Sequence, residues 1–145
     1  PVNEVNELTA NRYQPSCCTA LYDAMGMSLN ALRKKIAEDD KVLVTVVTDG
    51  YENASKEYND KAIKLLVDEL KAKGWVFAYI GANQDVEAVA ATISITNVMN
   101  FESTNEGTKR MSRIMGNART RLYDRIAKLG CTFSSDDANE DFFDE

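Results

Sequence analysis

Two stretches of this chain, "KVLVTVVT" from Lys41 to Thr48 and "WVFAYIGAN" from Trp75 to Asn83, are almost continuous runs of apolar, β-branched and aromatic residues. A strand wet on one face alternates polar with apolar residues, so runs without alternation imply a sheet covered on both faces. Ile63, Leu66, Val67 and Leu70 lie between them at helical spacing, and that helix closes on "KAKG", basic residues followed by a terminating glycine. A strand, a helix and a second strand in this order predict a parallel pair joined by a crossover.

The rest of the chain extends the alternation. Leu21, Met25, Leu29, Leu32 and Ile36 form an amphipathic stripe ahead of the first run, with Thr19 where an N-cap belongs. Asp85 caps a short helix running to about Ala91, with Val86, Val89 and Ala90 inward, and "ITNVMNF" reads as a further strand. A long helix from about Glu106 to Leu129 turns Met111, Ile114, Ala118, Leu122 and Ile126 inward and stops at Gly130. Residues 1 to 8, "PVNEVNEL", read as a short polar strand, and "NRYQPSCC" as a loop. In a sheet of this kind ligands gather outside the carboxyl ends of the strands. Asp49 lies at one such end, and Asn83, Gln84 and Asp85 at another.

A chain of 145 residues fits a single domain. Its net charge of −6 is concentrated at the end: residues 131 to 145 hold six acids and no base, and removing those six from 23 leaves 17 acids against 17 bases. The division expected is a domain over residues 1 to 130 followed by an acidic, solvated tail, although Phe133, Phe142 and Phe143 are unusual in a segment that only solvates. No run of apolar residues is long enough to span a membrane and no signal-peptide pattern opens the sequence, so a cytoplasmic location is expected. The three cysteines, Cys17, Cys18 and Cys131, are expected as reduced thiols.

Histidine is absent, which removes Ser-His-Asp and Cys-His catalysis and every imidazole-bearing zinc site. Cys17 and Cys18 precede a helix whose dipole would favour a thiolate, yet no activating partner accompanies them. An enzyme is not expected.

Three segments, "PSCCTALYDAMG", "VVTDGYENAS" and "FAYIGANQD", resemble in order and spacing the von Willebrand factor A-type domains of bacteria and phages, and the helix after "EGTKR" fits the same group. The resemblance spans roughly residues 1 to 130. It implies a Rossmann-like α/β fold with a mostly parallel sheet flanked by helices, and non-catalytic protein binding assisted by Mg²⁺ or another divalent cation. On that resemblance Thr19 and Asp49 correspond to two of the metal-site loops. The third, an Asp-x-Ser-x-Ser motif, is nowhere in the chain. Two ligands are too few to hold Mg²⁺ tightly against its hydration shell, so weak binding or none is expected. Tyr51, Glu52 and Asn53 on one strand-end loop, with Asn83, Gln84 and Asp85 on the other, are the candidates for contact with a protein partner.

The family's first strand would lie beside "KVLVTVVT", and the sequence looks like the family truncated at its N-terminus. An apolar strand is thereby left with an unpaired edge, which the chain's own first residues, a second copy or another polypeptide could cover. A homodimer through this edge is the expectation. A second reading of function comes from Lys109, Arg110, Arg113, Arg119, Arg121, Arg125 and Lys128 on the last helix, a basic set able to meet nucleic-acid phosphates. Because the domain as a whole is not basic, nucleic acid is not the expected partner.

Overall fold

The protein was analysed as a computed structural model, which describes residues 5–7, 9, 11–12, 18–82, 85–134, 136–139 and 142–143. Its elements follow in the order α1 (Leu21–Leu32), β1 (Leu43–Thr48), α2 (Asp60–Lys71), β2 (Val76–Ala82), α3 (Val86–Thr92), β3 (Asn97–Phe101), α4 (Asn105–Leu129), a 3₁₀ turn over Gly130–Thr132, and a short α5 (Asp136–Asn139).

The three strands form one parallel sheet in the order β1-β2-β3, with Leu43 opposite Val76, Thr48 opposite Gly81, and Ala78 opposite Asn97. This is an α/β fold with a parallel sheet flanked by helices, consistent with a Rossmann-like architecture. Along β2 and the residue before it the side chains alternate between two apolar layers. Trp75, Phe77 and Tyr79 pack with Leu21, Met25 and Leu29 of α1, with Ile63, Val67 and Leu70 of α2, and with Val86 and Ala90 of α3. Val76, Ala78 and Ile80 face the other way, onto Ala118, Leu122 and Ile114 of α4. Every residue of β2 is therefore buried, as its unbroken apolar run requires.

A single long helix crosses the second face. At about 1.5 Å per residue, the 25 residues of α4 reach roughly 37 Å, and they cross the sheet obliquely, from Met99 and Phe101 of β3 to Leu43 at the start of β1. Thr104 caps its first turn by accepting from Gly107 N (3.0 Å), and Gly130, at φ 55°, ends it in a backbone conformation that favours glycine.

β1 departs from its sequence expectation. Its run suggested burial on both faces, but only Val46 and Thr48 are buried, and Val47 is 55% exposed. The reason is its position: among the described residues β1 pairs with β2 alone and lies at the sheet's edge. The N-terminal segment does not extend the sheet where it is described, since Val5, Asn6 and Glu7 carry no strand; residues 1–4 and 8 of that expected strand lie outside the described residues. Within residues 131 to 145, expected as a solvated tail, two of the described aromatics pack on the fold. Phe133 (5% exposed) and Phe142 (6%) are buried against Ala118, Leu122 and Val76. No helix among the described residues is long and apolar enough to cross a membrane.

Candidate functional site at the carboxyl end of the sheet

β1 runs out at Thr48, and the chain turns at Asp49 and Gly50. Thr48 fixes the turn with one hydroxyl, which donates to Gly50 O (2.9 Å) and accepts from Gly50 N (3.3 Å). The loop from Tyr51 to Asn59 then folds across the N-terminus of α1, where the first N–H groups of the helix have no partner within it.

Two carboxylates lock this crossing. Glu52 accepts from Tyr22 N (2.8 Å), the Ser55 hydroxyl (2.6 Å), Ser55 N (2.7 Å) and Ala54 N (2.8 Å). In the opposite direction, Asp23 in the first turn of α1 accepts from Lys56 N (2.8 Å), Glu57 N (2.9 Å) and Tyr58 N (2.9 Å). Asp23 N donates in turn to the Ser55 hydroxyl (3.0 Å). Each partner thus supplies the charge that satisfies the other's backbone.

The electrostatics follow from these bonds. Burial works to raise the Glu52 carboxyl, but the Ser55 hydroxyl and the N–H groups of Tyr22, Ser55 and Ala54 outweigh it and hold the group down at about 2. For Asp23 the N–H of Lys56 is the strongest influence, followed after an opposing effect of burial by those of Tyr58 and Glu57; the carboxyl is held below its ordinary range despite the nearby Glu52 charge.

Thr19 is not the cap of α1. Ala20 occupies that position without a side-chain bond, because Glu52 and Ser55 already satisfy the first turn from the loop. Instead Thr19 pairs with Asn53 in both directions, its N–H donating to Asn53 Oδ1 (2.9 Å) and its carbonyl accepting from Asn53 N (3.1 Å). This pairing places the Thr19 hydroxyl beside Gly50, 3.1 Å from where a β-carbon on Gly50 would lie. Two of the three expected metal-site loops are therefore adjacent.

The remaining candidates divide by direction. Asp49 is exposed, as is Tyr51 (55%), whose hydroxyl accepts from Asp85 N (3.3 Å) and so ties the β1 loop to the start of α3. Asp85 caps α3 as its sequence position predicts, accepting from Ala88 N (3.1 Å). Glu52 is half-buried, and both its oxygens accept from donors of the loop and of α1, so it supports the surface. Asn83 and Gln84 lie outside the described residues. Sequence reasoning missed the locking role of Asp23, which in isolation reads as a favourable charge near a helix N-terminus.

For Mg²⁺ the fit is poor. Thr19 and Asp49 offer one hydroxyl and one carboxylate, Glu52 and Asp23 have their oxygens engaged, and among the described residues no group of three acidic, histidine or cysteine side chains converges. An octahedral ion would have to keep most of its waters.

The basic helix is also partly committed. Arg121 donates to Phe142 O (3.1 Å) and Arg125 to Asp137 O (2.7 Å), binding the C-terminal segment to α4.

Fold and site together define the class as an α/β domain presenting a loop surface at the carboxyl ends of its strands. Comparison of the chain with protein-family models, curated proteins and solved structures finds no match.

Proposed function

We propose that this chain is a non-catalytic protein-interaction module of von Willebrand factor A type, in which Asp49, Tyr51 and Asp85 form the contact surface. The observation that carries this reading is the locked β1 loop. Seven hydrogen bonds to the Asp23 and Glu52 carboxylates, five of them from N–H groups of the loop itself, hold it in place, while a large aromatic and an acid point outward from it. An exposed tyrosine on a pre-ordered loop suits a binding hot spot, because little conformational entropy remains to be lost on docking. The order of motifs along the chain and the adjacency of Thr19 to the Asp49 turn support the family reading. On this reading the metal has lost its structural role, and Asp49 acts through its own charge.

The test is affinity capture from the source cells with the wild-type chain and with Asp49→Ala and Tyr51→Ala, followed by identification of what is retained. A protein held by the wild type, lost from both variants and unaffected by EDTA is the expected outcome. Retention that survives both substitutions would refute this surface. In calorimetry Mg²⁺ should bind no tighter than millimolar, and a micromolar isotherm abolished by Asp49→Ala would restore the metal to the function. Retention of nucleic acid, released by salt and by reversing the charge of Arg113, would favour the basic helix instead.

A further inference from the structure

The outer edge of β1 opens into a cavity of about 560 Å³, within the ~300–1,000 Å³ range of binding pockets. Leu32 and Ile36, following the α1 side of the sheet, wall it on one face; Leu122, Ile126 and Phe133 wall it on the other. Between these walls lies the strand's own edge, Val42 to Thr45. The space is a slot that continues the plane of the sheet.

The floor of the slot states what it takes. In a parallel ladder each residue directs both its backbone groups to one neighbour, and successive residues alternate sides. Val76 N donates to Val42 O (2.9 Å), so Val42, Val44 and Val46 face β2. Leu43, Thr45 and Val47 therefore turn three N–H and three C=O groups outward, and no partner for them occurs among the described residues. A row of alternating donors and acceptors is complementary to extended backbone and to little else.

The walls choose among the sources of that backbone. A second copy continuing the sheet would bring its own α1 and α4 up against Leu32 of α1 and Leu122 and Ile126 of α4, which already line this space. A single strand brings no helices with it. Both walls are aliphatic or aromatic, so its side chains must be apolar on both faces. At the rim Lys41 and Arg119 stand against Asp40 alone, which suits an acidic residue flanking the apolar core.

We propose that β1 is a strand-acceptor site, and that its occupant is an extended segment of another polypeptide with about five apolar, β-branched residues and an acidic flank. The added strand pairs with Leu43, Thr45 and Val47 and places alternate side chains against Leu32 and Ile36 on one face and Leu122 and Ile126 on the other. This site is separate from the loop surface of Asp49 and Tyr51, and either can fail without the other.

Amide hydrogen exchange followed by NMR tests it, with a synthetic peptide of alternating Val and Ile flanked by Glu as the probe. In the free protein the amides of Leu43, Thr45 and Val47 should exchange fast while those of Val44 and Val46 are protected. Adding the peptide should protect the first set. Thr45→Pro removes an outward N–H and leaves the ladder to β2 its bonds, so it should leave the fold intact by circular dichroism and weaken peptide binding ~10-fold or more. The same peptide N-methylated at alternate residues should not bind. Three results would overturn the proposal: outward amides already protected in a monomer, which would place a segment of this chain in the slot; a dimer by light scattering that Thr45→Pro dissolves, which would place a second copy there; or no added protection with the peptide at millimolar concentration.

Discussion

Replacing Glu52 by glutamine isolates the lock on the β1 loop. The side chain keeps its size, but one acceptor oxygen becomes a donor that must face N–H or hydroxyl groups now bonded to the carboxylate. The pH dependence sets the scale. An ordinary glutamate titrates near 4.5 and Glu52 is held at about 2. At 1.36 kcal/mol per pH unit that difference is an upper bound of about 3 kcal/mol. Solvent reaches the carboxylate and screens it, so about 1–2 kcal/mol is the expected contribution. Its sign follows from the lowered value: the contribution is complete above pH 4.5 and disappears as the pH falls through 2. Urea unfolding of the wild type and Glu52→Gln at a series of pH values between 7 and 2 measures both quantities. The variant should be less stable by about 1–2 kcal/mol at neutral pH, and the gap should close towards pH 2. A gap below ~0.5 kcal/mol at pH 7, within the range of ordinary surface substitutions, would refute the lock. So would a gap that does not change with pH.

Gly26→Ala should destabilise by about 1–3 kcal/mol, measured by thermal unfolding, because a β-carbon there would lie 2.5 Å from the Tyr58 ring; the usual gain of alanine over glycine in a helix makes a net stabilisation the refuting result. Phe142→Ala should cost about 3 kcal/mol by the same assay, since the ring is buried against α4 and meets Phe143 edge-on at 4.8 Å between centroids. A loss below ~0.5 kcal/mol would return the C-terminal segment to the solvated role its acidity suggests.

How much of this was legible in the sequence depended on distance along the chain. α2, α3, β2 and α4 were predictable because their signals are local: apolar spacing, Asp85 at a cap, a glycine after the last turn. α1 was predicted to reach Ile36 but ends at Leu32; Ile36 still packs on the same core from the turn that follows, so its apolar spacing persists beyond the helix. Thr19 misled for a related reason. A threonine before a helix is a good cap, but the donors it would have satisfied were taken by Glu52 and Ser55, some 30 residues away. The carboxylate lock could not be read because the partners of Asp23 are backbone amides, which every sequence has. That β1 pairs with β2 alone among the described residues agrees with an open edge beside its apolar run, whereas the slot there depends on how α1 and α4 lie over the sheet. That α4 starts near β3 and ends near β1 is a fact of packing with no local code.

The oblique course of α4 also has a consequence in time. Until Ala118 and Leu122 have left the ribosome, no helix among the described residues covers Val76 and Ala78 on that face of the sheet near β1. Forty residues separate the end of β2 from Leu122, so at ordinary elongation rates the face stays open for about 2–8 s. The first layer, closed by α1, α2 and α3, can form within that interval as a sheet with one dry side. The nascent protein is then an open-faced sandwich, and the last helix both completes its core and withdraws it from chaperones and aggregation partners in one step.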